Sequence, residues 1–167
     1  MAVDMFLYFD TASGIKGETK DKTYKAKGGI DVIAWSWGMG NSGSAHMGAG
    51  QGAGRAQFND ITFTKYVDLA STKLMTSCAT GTHIKEAKLV VRKAGGTPLE
   101  YLLVELTDCL VSSYQTGGSG EGGDRLTENV SLNFAVVKVD YKTQKEDGTE
   151  GTEKGNFAYD IPANSKD

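Results

Sequence analysis

Proline is nearly absent, with two residues among 167, and cysteine and histidine are as scarce, with two of each. Each shortage excludes a class of protein. Cys78 and Cys109 are too few for a disulfide framework and lack CxxC spacing, so they read as buried thiols acting as small hydrophobes. His46 and His83 form no HxH or HExxH pattern and have no cysteine close in sequence, so no metal site is expected. No serine sits on a GxSxG elbow, and Glu100, Glu105, Asp108 and Glu128 are scattered along strands as solvent-facing alternates. Neither a catalytic residue nor a cofactor is expected. No apolar run approaches the roughly 18 residues of a membrane-spanning helix. A net charge of −3 gives no bulk attraction to nucleic acid or to an anionic membrane, and neither is expected as a partner.

Glycine is what the chain has in excess: 22 residues, well above the usual share of about 7%. Many glycines with few prolines favour a β-rich fold with many turns. At 167 residues, one domain over 1–167 buries roughly 70% of its unfolded surface around one core. The opening MAVDMFLYFD has acids within its apolar stretch and no basic region before it. It reads as a first strand, apolar on both faces, and not as a signal peptide. The chain is therefore expected to be cytoplasmic when made and to leave, if it does, without a cleaved signal.

The chain is organised around residues 30–67. IDVIAWSW puts Ile33, Trp35 and Trp37 on one face of a strand and Ile30, Val32 and Ala34 on the other. A spacer follows, with glycine at seven of the seventeen positions 38–54, and AQFNDITFTKYV then resumes β character with Ile61, Phe63 and Val67 on one face. Gly38 to Gly43 matches GxGxxG after a strand, but SAHMGAGQGAG cannot open the helix that a dinucleotide fingerprint requires. Fixing glycine backbone loses more entropy than fixing any other. A long glycine-rich loop of this kind reads as an arm that reaches a neighbouring subunit.

Before the arm, GIKGETKDKTYKAKGG (14–29) reads as a solvated, charged connection. After it, residues 68–80 form the one convincing helix, where Val67, Ala70, Leu74, Met75 and Cys78 share an apolar face. Asp68 or Ser71 can cap its start, and Gly81 can end it. Residues 82–95, 99–116 and 128–143 then read as long strands joined in an antiparallel meander. In the last, Val130, Leu132, Phe134 and Val136 alternate with Asn129, Ser131, Asn133 and Ala135, and the phase slips near Val136, as at a bulge or change of neighbour. Residues 144–155 read as a charged turn, and 156–162 as a closing strand. The predicted class is mainly β: a small antiparallel β-barrel of two packed sheets with one flanking α-helix.

GIKGETKDK, IDVIAWSWG, DITFTKYVDLASTKLMTSCATG, IKEAKLVVRKAG, YLLVELTDCLVSSY and ENVSLNFAVVKVDY, in that order over most of the chain, closely resemble the Hcp family, the haemolysin-coregulated tube protein of bacterial type VI secretion. The resemblance implies a homohexameric ring with a central pore. Rings stack head to tail into a tube that a contractile sheath drives out of the cell behind the spike protein, with effector proteins bound and stabilised in the pore. It places the arm, through Gly38, Gly40, Asn41, Ser42, Gly43, Ser44, His46, Met47, Gln51 and Arg55, where the family's extended loop reaches the adjacent ring or subunit. The small polar face of Asn129, Ser131 and Asn133 is the expected pore or subunit-contact face. A stand-alone lectin-like β-sandwich, binding ligand with the glycine arm, is the alternative reading.

Overall fold

The computed structural model describes residues 3–42, 54–95, 97–120 and 125–166. In chain order its elements are β1 (Val3–Phe9), β2 (Ile30–Ser36), β3 (Met39–Gly40), β4 (Gln57–Phe58), β5 (Ile61–Tyr66), α1 (Ser71–Thr80), β6 (His83–Lys93), β7 (Leu99–Thr116), β8 (Thr127–Asn133), β9 (Val136–Gln144) and β10 (Glu150–Asp160). The main sheet runs β10-β9-β7-β6-β1-β2-β5-β8, and β8 returns to pair with β7. The expected antiparallel barrel with one helix is therefore present. Its wall is one sheet closed on itself, while β3 and β4 form a separate two-stranded ribbon.

The long strand β7 makes this closure possible. Residues from Leu99 to Leu110 pair with β6 along one edge. On the other edge, Leu102 to Thr107 pair with β9 and Leu110 to Thr116 pair with β8. The phase slip read near Val136 is the change of neighbour between β8 and β9, with Ala135 donating to the Thr107 carbonyl. Inside, Leu7, Ile30, Ile61, Phe63, Leu89, Leu106, Val130, Leu132 and Val137 fill the barrel. The flanking helix contributes Leu74 to this core, and Ala70 joins it from just before the helix.

Several local expectations are corrected. The faces of β2 exchange midway, because its register against β5 shifts between Val32 and Ala34. One extra residue in a strand reverses its alternation. Ile30 and Val32 face the core, Ile33 is 39% exposed, and Trp35 and Trp37 then turn inward against the core. The helix begins at Ser71, three residues later than expected, because Asp68 accepts from the Ala70 amide and holds a tight turn before it. Its buried face is Ser71, Leu74 and Ser77, with Met75 outward. Gly81 ends it at φ 62°, as expected. The charged turn is narrower than 144–155: β9 runs to Gln144, β10 starts at Glu150, and Lys145 and Thr149 close the hairpin through a 2.9 Å backbone bond.

The lysine-rich connection of residues 14–29 is not simply solvated. Ile15, Thr19 and Tyr24 are buried in it. Tyr24 stacks on Phe6 of β1, with centroids 4.3 Å apart, and its hydroxyl donates to Glu100 of β7. Arg92 of β6 lies over both rings and pairs with Asp4 and Asp21. This segment covers the second apolar face of β1. Its glycines permit that fit: a Cβ on Gly17 would stand 2.4 Å from the Gly29 carbonyl oxygen.

Candidate functional site: a polar wall, the charges behind it and the arm root

The sequence-predicted face of Asn129, Ser131 and Asn133 is brought into one array with residues from three other strands. Across from it on β5, Thr62 Oγ1 is 2.9 Å from Ser131 Oγ, and Thr64 donates to Asn129 Oδ1 at 2.7 Å. Asn133 Nδ2 and Ser112 Oγ both donate to Asp60, at 2.9 and 2.5 Å. On the flanking strands, Ser113 and Gln115 of β7 stand opposite Ser131 and Asn129, and Ser36 and Ala34 of β2 stand opposite Thr62 and Thr64. The middle of this wall is small and uncharged, and its hydroxyl and amide groups already satisfy one another across strands. Charge stands at its ends: Asp60 at one, and Arg125, stacked 4.0 Å over the Tyr66 ring, at the other.

Both lateral edges of this four-stranded half are open among the described residues. The pairing of β2 with β1 is confined to Ile30 and Asp31, which leaves Val32 to Ser36 with no strand on that side. The pairing of β7 with β6 stops at Leu110, so the stretch from Val111 to Thr116 has none either. Open strand edges are templates for pairing with another chain.

Behind the wall lies a charge network that the sequence reading missed. Lys65 and Glu128 are buried, and Lys65 Nζ reaches Glu128 Oε1 at 2.5 Å, Asp68 Oδ1 at 2.8 Å and the Tyr66 carbonyl at 2.8 Å. Ser71 Oγ donates to Glu128 at 2.8 Å, and the Tyr114 hydroxyl donates to the other Glu128 oxygen. Glu128, expected to face solvent, is therefore a core residue. The signal was available: Lys65 falls in phase with Ile61 and Phe63, and Glu128 in phase with Val130 and Leu132. The network ties α1 to β5, β7 and β8.

Burial, and then the bond to Glu128, push the Tyr114 phenol from an ordinary 10.0 up to about 12. A raised phenol value means that the fold favours the neutral form. Its contribution is complete below pH 10 and is lost as pH rises through about 12. Urea midpoints measured from pH 9 to 12 are expected to fall less steeply in Tyr114→Phe than in the natural chain; an identical slope would remove Tyr114 from the account.

Of the predicted arm residues, Gly43, Ser44, His46, Met47 and Gln51 lie outside the described residues. Gly38, Gly40, Asn41, Ser42 and Arg55 form the arm's root. Two rungs, Met39 to Phe58 and Gly40 to Gln57, make the β3–β4 ribbon. A Cβ on Gly54 would meet Ser42 Oγ at 2.5 Å, so the two limbs lie in close contact. Arg55 donates to the Ile161 carbonyl at 2.8 Å. Arg55 and Asn133, predicted separately, line one cleft of about 630 Å³ together with Phe58, His83, Asp108 and Phe134. Asp108 takes φ 56° there, where β7 passes from β9 to β8.

Among the described residues no three His, Cys, Asp or Glu side chains are grouped to hold a metal ion. Cys78 and Cys109 are free thiols; Cys109 is buried, which pushes its thiol up to about 12. Among the described residues no helix is long and apolar enough to cross a membrane.

Fold and site together define the class: a closed antiparallel β-barrel with one helix against it, a small-polar wall and a ribbon-rooted glycine-rich segment. The family model described as type VI secretion system effector, Hcp, matches residues 6–141. The chain is 52% identical over 165 residues to protein hcp1 of Pseudomonas aeruginosa, covering 98% of both chains. Its fold matches the crystal structure of Hcp1 from Salmonella typhimurium with a TM-score of 0.78 at 36% identity, covering 99% of each chain. It likewise matches a type VI secretion system effector from Yersinia pestis, with a TM-score of 0.74 at 32% identity, over 95% of this chain and 100% of that one. The chain belongs to the Hcp family of type VI secretion proteins.

Proposed function

We propose that this chain is a tube subunit of a type VI secretion system, assembling as hexameric rings that stack and carry effector proteins in their pore. The observation that carries the proposal is the wall with two open edges. A ring closes when one patch meets a different patch on the next copy. Here the β2 edge of one copy meets the β7 edge of its neighbour. Each successive pairing from β2 through β5 and β8 to β7 is antiparallel, so β2 and β7 run in opposite senses. A rotation about the ring axis then adds one more antiparallel pair, in keeping with the rest of the wall.

Wall strands about 4.8 Å apart, four from each copy of a hexamer, enclose a lumen roughly 37 Å across before strand tilt widens it. A folded domain of about 100 residues, with a radius of gyration near 13 Å, fits inside. A wall whose polar groups already pair with one another offers such a cargo hydrogen bonds without charge selection. The spike and the sheath are the further partners of this reading, with export from the cytoplasm through the assembled machine.

Light scattering and negative-stain images of the purified protein are expected to show hexameric rings with a central hole; a monomer at all concentrations would sink the proposal. Ser131→Trp adds a bulky ring to the lumen face without touching either edge. It is expected to leave the ring mass unchanged and to shorten the life of a co-expressed effector about tenfold, equivalent to losing about 1.4 kcal/mol of contact. Unchanged cargo protection would remove the wall from the pore.

A further inference from the structure

We propose that the β9–β10 hairpin positions the root of the glycine-rich arm, through an aromatic clasp that joins that root to the end of β10. This rests on the tube reading only for what the arm does once positioned. A ribbon of two rungs is too short to hold its own direction, since an isolated two-stranded hairpin is at best marginal in water. What grips it comes from elsewhere in the chain. Trp37, entering the root, and Phe58, leaving it, stack with centroids 6.4 Å apart and planes 15° from parallel. Phe58 lies 5.0 Å from Tyr159 of β10, and Trp37 lies 6.5 Å from Phe157 of the same strand. Arg55 donates to Ile161 just beyond β10.

The far side of the clasp is itself peripheral. Among the described residues β10 pairs in the main sheet with β9 alone, and its outer edge carries just the isolated bridge from Asp160 to Ser165. It is anchored at this end by Ile161, whose amide donates to the Ala135 carbonyl, and by the Tyr159 hydroxyl, which donates to Asn164. The arm root and the end of β10 therefore share one set of contacts, which rests on the core through Trp37, 6.2 Å from the Phe134 ring. Movement of the hairpin turns the root with it. Tyr159, Phe157 and Arg55 act on the arm root as positioning residues.

The test is amide hydrogen exchange on the full chain. Asn59, whose amide is held by the Gly38 carbonyl at 3.0 Å, reports the root, and β5 reports the barrel. In Tyr159→Ala, exchange at Asn59 and Gln57 is expected to speed up about tenfold while β5 keeps its protection. Tyr159→Phe keeps the ring and loses the bond to Asn164 while Ile161 still anchors the end of β10, so it is expected to speed exchange far less than Tyr159→Ala. Arg55→Ala, an exposed change with no bearing on the core, is expected to loosen the root in the same direction, with Arg55→Lys restoring part of the protection. Root protection unchanged in both Tyr159→Ala and Arg55→Ala would overturn the proposal, as would loss in Tyr159→Phe equal to that in Tyr159→Ala. In the assembly, Tyr159→Ala is expected to form rings of natural mass that stack into tubes about tenfold less often; natural stacking would overturn the positioning role. Absence of rings from the natural chain would instead overturn the tube reading, and the exchange rates would still decide the clasp.

Discussion

Lys65→Met is expected to cost about 3–5 kcal/mol of stability, because it leaves buried carboxylates without their cation. Among the described residues Lys65 is the only ammonium in contact with Glu128, and the side chains of both are fully buried. Removing the lysine does not remove the penalty of having taken the carboxylates out of water. For a chain of this size such a loss lowers the melting temperature by about 6–20 °C. Glu128→Gln keeps one oxygen for Ser71 and Lys65 and turns its NH2 to the Tyr114 hydroxyl, which can accept from it, while discharging the site, so it is expected to cost less than Lys65→Met. The double variant Lys65→Met/Glu128→Leu exchanges the pair for apolar side chains and is expected to recover part of the loss. Urea midpoints at one fixed protein concentration give the comparison. A Lys65→Met variant within about 0.5 kcal/mol of the natural chain would show that water reaches the network, leaving the pair no more than a surface salt bridge.

The second large effect concerns the connection that lies over β1. Tyr24→Ala removes a ring that is wholly buried, stacked on Phe6 and flanked by Lys27 and Arg92. Deleting a buried aromatic ring costs about 3–5 kcal/mol, and here it also exposes Phe6 and Val90, the two other buried members of the same small cluster. Tyr24→Phe loses the hydroxyl alone, and Glu100 is exposed enough for water to take its place, so a cost of about 1 kcal/mol is expected. Limited proteolysis separates the local effect from the global one. Cleavage among Lys16, Lys20, Lys22, Lys25 and Lys27 is expected to be fast in Tyr24→Ala under conditions where the barrel stays folded. Equal cleavage in the two variants would mean that the segment is held by its backbone, through Gly17 to Gly28 and Thr19 to Gly29, and not by the ring.

Both effects arise at residues whose local pattern is legible but whose partners are not. In TFTKYV, alternation alone places Lys65 on the inward face; nothing nearby says that the matching charge lies 63 residues away on β8. In GIKGETKDKTYKAKGG the lysines describe a solvated loop, and they are largely at the surface. Tyr24 escapes that description because the apolar outer face of β1 and Glu100, 76 residues further on, are available to receive it. The polar wall divides in the same way. Asn129, Ser131 and Asn133 were visible as one face of one strand. Thr62, Thr64, Ser36, Ser113 and Gln115 joined them only through register.

By itself the sequence determined the strands, the helix with its glycine stop, the break near Val136, the absence of a metal-ligand motif, and the family. These follow from periodicity, turn residues and ordered motifs, which are properties of neighbouring positions. Tertiary structure alone decided that the chain turns its tryptophans inward after Ile33, that β7 divides one edge between β8 and β9, and that both lateral edges of the polar wall stay open among the described residues. The physical reason is that side-chain alternation repeats every second residue whatever the partner, whereas register and pairing are chosen by contacts among strands far apart in the chain. A single extra residue in one strand reverses every face beyond it.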